Sequence, residues 1–527
     1  MSRTKPESRE PEAVSFPLPA GMDEDALFDL LASHFAIAPT ENRQESWDYF
    51  DTFDWRLYRR TMLLAATRGE SGRLLQLGSL DGAPLEGVQV AAAPGFVWDL
   101  PEGPLRHRLE PVLEMRRLLR VVSVRVRARG FRILDGNRKT VVWADVERVR
   151  VRGHAGAYGI EKGDAELPLQ LRLTAVRGYD RALSEVVVQC SRVLEADQEQ
   201  EGDLSRVLAS VGARPGAYAS KPALDAGAEE PASTAIPRLL LMLRRTIEDN
   251  LEGTLADVDS EFLHDLRVAV RRTRTCLGQF KELWPAPTLE RAREFFSWVG
   301  QVTGPTRDLD VYMLNLPDYR RSLPAAVRPH LAPLETLLEE RRQREQRSLR
   351  RKLRSRRFRE EMAWWEQVLA DPAATAEAAN TPIGELAGQR TLRRFERVMR
   401  RGAKARASRP QSLHDLRIDC KKLRYLLEFF AALYDPEHLK PAVRALKRLQ
   451  DNLGRFNDLE VQQAALAGWA GEMTGGSEAG AEPLLAMGRL LERLDRSQKK
   501  ELQRFADCFA EFSAEENRKH FRRMLQP

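Results

Sequence analysis

The chain is 527 residues long, 31% charged and 43% hydrophobic, with 84 Lys+Arg against 77 Asp+Glu and a formal net charge of +7. That length holds two to four domains with ample core. No run of eighteen apolar residues occurs and the opening MSRTKPESRE has no apolar h-region, which excludes a spanning helix and a signal peptide. Four scattered cysteines (Cys190, Cys276, Cys420, Cys508) form neither a zinc nor a disulfide framework, so a soluble cytoplasmic protein without cofactor or metal is expected. The charge is uneven. Residues 1–235 carry 31 Lys+Arg against 35 Asp+Glu, a net of −4, and residues 236–527 carry 53 against 42, a net of +11. A polyanionic partner would therefore dock on the C-terminal part.

In chain order, residues 1–12 read as a polar, disordered start. Residues 13–210 read as an α+β segment. Asp23 to Phe35 predicts a capped amphipathic helix. Alternating stretches follow at Arg73–Leu77, Val121–Arg127, Val141–Val146 and Leu167–Leu173, with turn signals at Leu80-Asp-Gly82 and Asp135-Gly-Asn137. Short antiparallel strands of this kind predict a barrel-like sheet. Residues 211–235, rich in Gly, Ala, Pro and Ser, read as a linker. Residues 236–527 read as helical, in halves of about 236–380 and 381–527. Asp257 or Ser260 is the expected cap of the first charged helix, Leu289–Val302 is expected to end at Gly304-Pro305, and Pro329–Leu369 and Pro441–Leu453 are further helices.

One stretch occurs twice. EFLHDLRVAVRRTRTCLGQFKELW from Glu261 matches QSLHDLRIDCKKLRYLLEFFAALY from Gln411 at an offset of 150, and the same ungapped register joins Gly304-Pro-Thr-Arg-Asp-Leu309 to Gly454-Arg-Phe-Asn-Asp-Leu459. On a helix, His264, Arg267, Arg271 and Arg274 share one stripe about 80° wide, with Phe262, Leu266, Val270, Thr273, Leu277 and Phe280 on the far side. The second copy sets His414, Arg417, Lys421 and Arg424 against Leu416, Cys420, Leu423, Leu427 and Phe430. Arg272 and Lys422 fall on the flank. Like charges at helical spacing repel by a few tenths of a kcal/mol per pair, so a stripe kept in both copies points to an anion rather than to a merely solvated face. The leading histidines then read as donors to that anion, the other reading being a buried imidazole held by a carbonyl.

Two family resemblances follow from these motifs. Over residues 11–210, FPLP, YFDTFDWRL (Tyr49–Leu57) and the basic VRVRARG strand resemble the CYTH family, the triphosphate tunnel metalloenzymes. That family carries ExExK on its first strand for metal and triphosphate. Here the place reads Pro11-Glu12-Ala13-Val14-Ser15, and no strand face shows paired carboxylates, which implies a degenerate, non-catalytic barrel. From Ile236 to Arg523, the doubled HxxRxxxRRxR/HxxRxxxKKxR pattern is similar to the CHAD family, the conserved-histidine α-helical domain. This resemblance implies two pseudo-twofold-related helical bundles around a basic groove that binds inorganic polyphosphate. Carried over, the groove set is His264, Arg267, Arg271, Arg272, Arg274, His414, Arg417, Lys421, Lys422 and Arg424, with Arg307, Arg444, Lys447 and Arg448 as secondary cations.

Three functions compete: a polyphosphate binder without turnover, with association to polyphosphate granules; a metal-dependent triphosphatase in the barrel; and a nucleic-acid binder. The last is disfavoured because the stripes lack interleaved aromatics. If both histidines face the anion, polyphosphate affinity rises as pH falls through about 6.5, and equal affinity at pH 5.5 and 8 would assign them structural roles.

Overall fold

The computed structural model describes residues 13–18, 21–69, 72–80, 84–154, 163–196, 203–371, 380–405, 410–475 and 480–525. The expected disordered start, Pro11-Glu12 and the turn at Asp81-Gly82 lie outside them. The chain divides into two compact units, residues 1–218 and 219–527. Among the described residues no helix is long and apolar enough to cross a membrane.

The first unit is a ten-stranded antiparallel sheet: β1 (Ala13–Pro17), β2 (Ala36–Pro39), β3 (Arg43–Asp51), β4 (Met62–Gly69), β5 (Gly72–Ser79), β6 (Pro84–Val90), β7 (Leu119–Leu134), β8 (Thr140–Gly153), β9 (Asp164–Glu166) and β10 (Gln170–Ala175). Its main path runs β1-β10-β8-β7-β3-β4-β5-β6, with β2 on β7 and β9 on β8, and among the described residues β1 and β6 do not pair to close it. The expected barrel-like α+β domain is therefore present, but open. Helices α1 (Glu24–Ala32), α2 (Pro104–Leu113), α3 (Asp180–Leu194) and α4 (Asp203–Ser210) accompany the sheet. The Asp23 side chain caps α1 by accepting from the Ala26 N–H at 2.7 Å, as its sequence signal predicts. The Asp135 carboxylate holds the β7–β8 turn, accepting from Asn137 N at 2.9 Å and Lys139 N at 2.8 Å. YFDTFDWRL ends β3 and continues as a structural loop, in which buried Asp51 accepts from Thr52 N (2.7 Å), Leu57 N (3.0 Å) and Tyr58 N (2.9 Å). Burial pushes that carboxyl up to about 6 despite those donors.

The second unit is helical: α5 (Ala232–Asp249), α6 (Leu251–Ala256), α7 (Ser260–Gln279), α8 (Ala286–Ser322), α9 (Ala332–Leu353), α10 (Arg356–Ala370), α11 (Ile383–Lys404), α12 (Pro410–Phe429), α13 (Pro436–Gly475), α14 (Ala481–Ser513) and α15 (Glu515–Leu525). The bounds of α7 and α12 differ by 150 residues at both ends, as do the single 3-10 turns after them at Lys281–Leu283 and Ala431–Leu433. The duplicated sequence thus folds into matching elements.

Four local expectations are corrected. Helix α8 does not stop at Gly304-Pro305 but runs through it and through Pro317. A helix-interior proline costs about 3 kcal/mol. Phe295, Phe296, Val299 and Val302 before it, and Leu309, Tyr312 and Leu316 after it, are all buried, and their packing outweighs that cost. Likewise α13 extends from Pro436 to Gly475, past Gly454. The cap of α7 is neither Asp257 nor Ser260 but Asp259, whose carboxylate accepts from Glu261 N (2.9 Å) and Phe262 N (3.2 Å). Asp257 is in the left-handed region at φ 55° and pairs instead with Arg342. The long helix expected over Pro329–Leu369 breaks at Ser355, which caps α10 through Phe358 N at 3.3 Å.

The entry to α7 also depends on Gly253, where an added Cβ would lie 2.2 Å from the Phe262 ring. Gly253→Ala is expected to destabilise the helical unit by roughly 1–3 kcal/mol, read as a lowered denaturation midpoint with unchanged m-value.

Candidate anion-binding groove

Helix α7 turns Leu263, Leu266, Val270 and Leu277 into the core, and α12 does the same with Leu413, Leu416, Leu423 and Leu427. At their C-terminal ends Phe280 and Phe430 meet edge to face, with ring centroids 5.7 Å apart and planes at 75°. The stripe residues are left half-buried or, for Arg274, exposed. What brings the two stripes into one site is seen at Lys421. Burial first, and then Arg417, Arg271 and Arg424, push its ammonium down to about 8, so a cation of α7 acts directly on a cation of α12. Arg267 is pushed down to about 10 by burial and by its neighbours Arg271 and Arg307. The groove therefore concentrates positive charge that its own carboxylates do not neutralise.

The walls come from α8 and α13. Arg267 Nη1 donates to the Gly300 carbonyl at 3.0 Å and to Thr303 Oγ1 at 2.8 Å. Arg417 Nη2 reaches Asp458 Oδ1 at 3.3 Å, and Asp308, at the matching position, acts on Arg267 electrostatically. Arg424 donates to Glu428 Oε1 at 2.8 Å and to Gln450 Oε1 at 3.0 Å. In the first copy the residue in the place of Gln450 is Gly300, where a Cβ would come within 3.3 Å of Arg274 Nη1. His414 Nδ1 lies 2.8 Å from Asn457 Oδ1, so the proton is on Nδ1 and Nε2 is the ring's other polar atom. His264 is half-buried on α7. The Nε groups of Arg271 and Arg417 are buried and meet no acceptor among the described residues.

Two expected groove residues point elsewhere. Arg272 is fully buried, ion-paired with Glu428 at 3.1 Å and stacked over Phe429 (4.8 Å) and Tyr425 (5.7 Å), so it ties α7 to α12 and cannot meet a ligand. Lys422 feels Arg394, Asp419, Arg397 and Arg401 of the α11–α12 contact rather than the Lys421 cluster, because one residue along a helix turns the side chain by 100°. Of the secondary cations, Arg307 belongs beside the groove, with Nη1 3.0 Å from the Ser260 carbonyl and Glu261 at 3.8 Å. Arg444, Lys447 and Arg448 are exposed on α13, and Arg448 pairs with Glu511 of α14. In the basic run of α9–α10, Arg342 holds Asp257 and Asp310, Arg341 holds Glu472, and Arg357 stacks on Trp298 at 4.6 Å, while Arg344, Arg347, Arg350, Arg351, Lys352, Arg354 and Arg359 are exposed.

The first unit contains a separate cavity of about 570 Å³ lined by Arg43, Glu45, Asp145, Glu147, Gln170 and Arg172, among others. Asp145 and Glu147 lie on one face of β8, which corrects the expectation that no strand face carries paired carboxylates. Arg43 pairs with Asp145, and Gln170 Nε2 donates to Glu147 Oε2 at 2.7 Å. Among the described residues no group of three His, Cys, Asp or Glu side chains is placed to hold a metal.

The CHAD domain model matches residues 238–467, which lie within the helical unit. The CHAD domain crystal structure from the plant Ricinus communis is 27% identical, covering 55% of this chain and 95% of that one at a TM-score of 0.46. PptA from Streptomyces chartreusis is 18% identical (53% and 99% covered, TM-score 0.42). A candidate adenylyl cyclase from Hippeastrum with a dominant triphosphatase activity is 11% identical (37% and 94% covered, TM-score 0.25). A search of curated proteins gives no match.

If Arg271 acts on Lys421 as described, Arg271→Ala raises the Lys421 pKa from about 8 toward the ordinary 10.5. Heteronuclear NMR titration of labelled lysine reads the shift, and an unmoved Lys421 would separate the two helices electrostatically.

Proposed function

We propose that the protein binds inorganic polyphosphate in the groove between α7 and α12, without turnover there, and that this underlies association with polyphosphate-rich bodies in the cytoplasm. The observation that carries this reading is the clustering of Arg271, Arg417, Lys421 and Arg424, close enough to depress a lysine, in a domain whose family the sequence motif and the domain match agree on. Such a cluster costs folding free energy unless an anion repays it. A phosphate chain fits the donor set. Arginine forks span two phosphoryl oxygens, while Lys421 and the histidines act as single donors. Inward-facing aromatics that would stack bases are absent from the stripes, which favours an inorganic chain over nucleic acid.

A second reading places a metal-dependent triphosphatase in the barrel, and the presence of Glu45, Asp145 and Glu147 in the lining of one cavity favours it, although they are not grouped to hold a metal. Against it, Arg43 and Gln170 already engage two of those carboxylates. Phosphate release from tripolyphosphate with Mg²⁺ or Mn²⁺, abolished by Asp145→Asn/Glu147→Gln, would establish it.

The groove reading predicts that Arg267→Ala/Arg417→Ala weakens polyphosphate binding by about 10²- to 10⁴-fold, at roughly 1.5–3 kcal/mol per charge-assisted contact, with far-UV helicity intact. The same variant should bind with a shallower dependence of log K on log salt, since fewer counterions are released. Equal loss from Arg356→Ala/Arg357→Ala would replace the groove by diffuse charge.

A further inference from the structure

The sheet of the first unit carries a feature that only its register reveals. Side chains alternate across a strand, so Glu45, Trp47, Val124, Val126 and Val149, which line the 570 Å³ cavity, leave Ser46, Arg125 and Arg150 on the opposite face. On that face Arg150 of β8 stands directly opposite Arg125 of β7, and Arg125 opposite Ser46 of β3. One step beyond the Trp47–Thr67 pair, Ser46 faces Arg68 of β4, which in turn stands opposite Arg73 of β5. Four arginines thus form one row across five adjacent strands. With strands about 4.8 Å apart, the row spans roughly 19 Å. It lies along a groove of about 690 Å³ whose lining holds six arginines, His154 and only three carboxylates, Asp48, Asp164 and Glu166. This surplus sits in the part of the chain whose net charge is −4.

Like charges directly opposite in a sheet are destabilising, and the row is only partly compensated. Its ends hold carboxylates: Arg73 Nη1 is 2.6 Å from Asp48, and Arg150 Nε is 3.2 Å from Glu166, which also serves Arg148. The two middle arginines, Arg125 and Arg68, are exposed and have no ion-pair partner among the described residues. The neighbouring row adds Ser123, hydrogen-bonded to Asp48 and 2.8 Å from His154 Nε2, so the floor is polar. A line of guanidinium forks on a polar floor suits a narrow chain of oxyanions. Of the lining residues only Trp47 and His154 carry rings, against six arginines, so charge rather than base stacking dominates the groove.

We propose that this arginine row is a second anion site, on the outer face of the sheet, that takes a short inorganic phosphate chain. It rests on the strand register and is independent of the α7–α12 groove. The test is hydrogen-exchange mass spectrometry of the full-length protein with and without tripolyphosphate. Exchange over β4 and β7 should slow several-fold on adding the ligand, in the parent and equally in Arg267→Ala/Arg417→Ala. In Arg68→Gln/Arg125→Gln the protection over β4 and β7 should vanish while any protection over α7 and α12 stays. Without ligand, Arg125→Gln should melt no lower than the parent, because it relieves the opposition to Arg150. No protection over β4 and β7 in the parent, or protection that survives Arg68→Gln/Arg125→Gln, would overturn the site. Equal protection by poly-glutamate at matched charge would overturn the ligand class. Loss of protection over α7 and α12 alone would instead count against the groove.

Discussion

The helical unit depends on a repulsion that its own packing enforces. The apolar backs of α7 and α12 are locked into the core and joined by the Phe280–Phe430 contact, so their charged fronts cannot separate. Lys421 registers the cost directly: burial and three arginines, one of them from the other helix, hold its ammonium well below the ordinary lysine range. Arg272 makes the arrangement stiffer by spending its charge internally, on Glu428 and two aromatic faces. The result is a preorganised set of cations that Asp308, Asp458 and Glu428 offset only in part.

Much of this was legible in the residues. A stripe at i, i+3, i+7 and i+10 kept in two copies at an offset of 150 marked the candidate groove, the matched Gly304 and Gly454 blocks already paired Asp308 with Asp458, and a longer comparison of the copies would have added Gly300 with Gln450. Asn457, which orients His414, replaces Arg307 of the first copy, so the two halves hold their histidines differently. What periodicity could not supply was tertiary compensation. Pro305 reads as a helix stop until the burial of Phe296 and Leu309 on either side is counted. Arg272 reads as a groove cation until Tyr425 and Phe429 are seen beneath it.

The strands illustrate the same limit. VRVRARG and VERVRVRG are visibly basic, but whether their arginines oppose one another depends on register, which the turn at Asp135 sets and the sequence alone does not number. Asp145 and Glu147 stand in a strand read for its arginines, and only the folded sheet shows that they line one cavity with Glu45. The two units therefore place charge by different means: helical spacing in one, cross-strand pairing in the other.

A polyanion bound in the groove, as proposed, relieves Lys421. At pH 8.5 the free groove holds Lys421 partly deprotonated, and a bound polyanion raises its pKa, so binding takes up protons and affinity falls as pH rises through about 8. Calorimetric titration with polyphosphate in buffers of different ionisation enthalpy measures that uptake. The account predicts net proton uptake in the parent protein and its loss in Lys421→Met. Binding without proton uptake, or uptake unchanged in Lys421→Met, would contradict it.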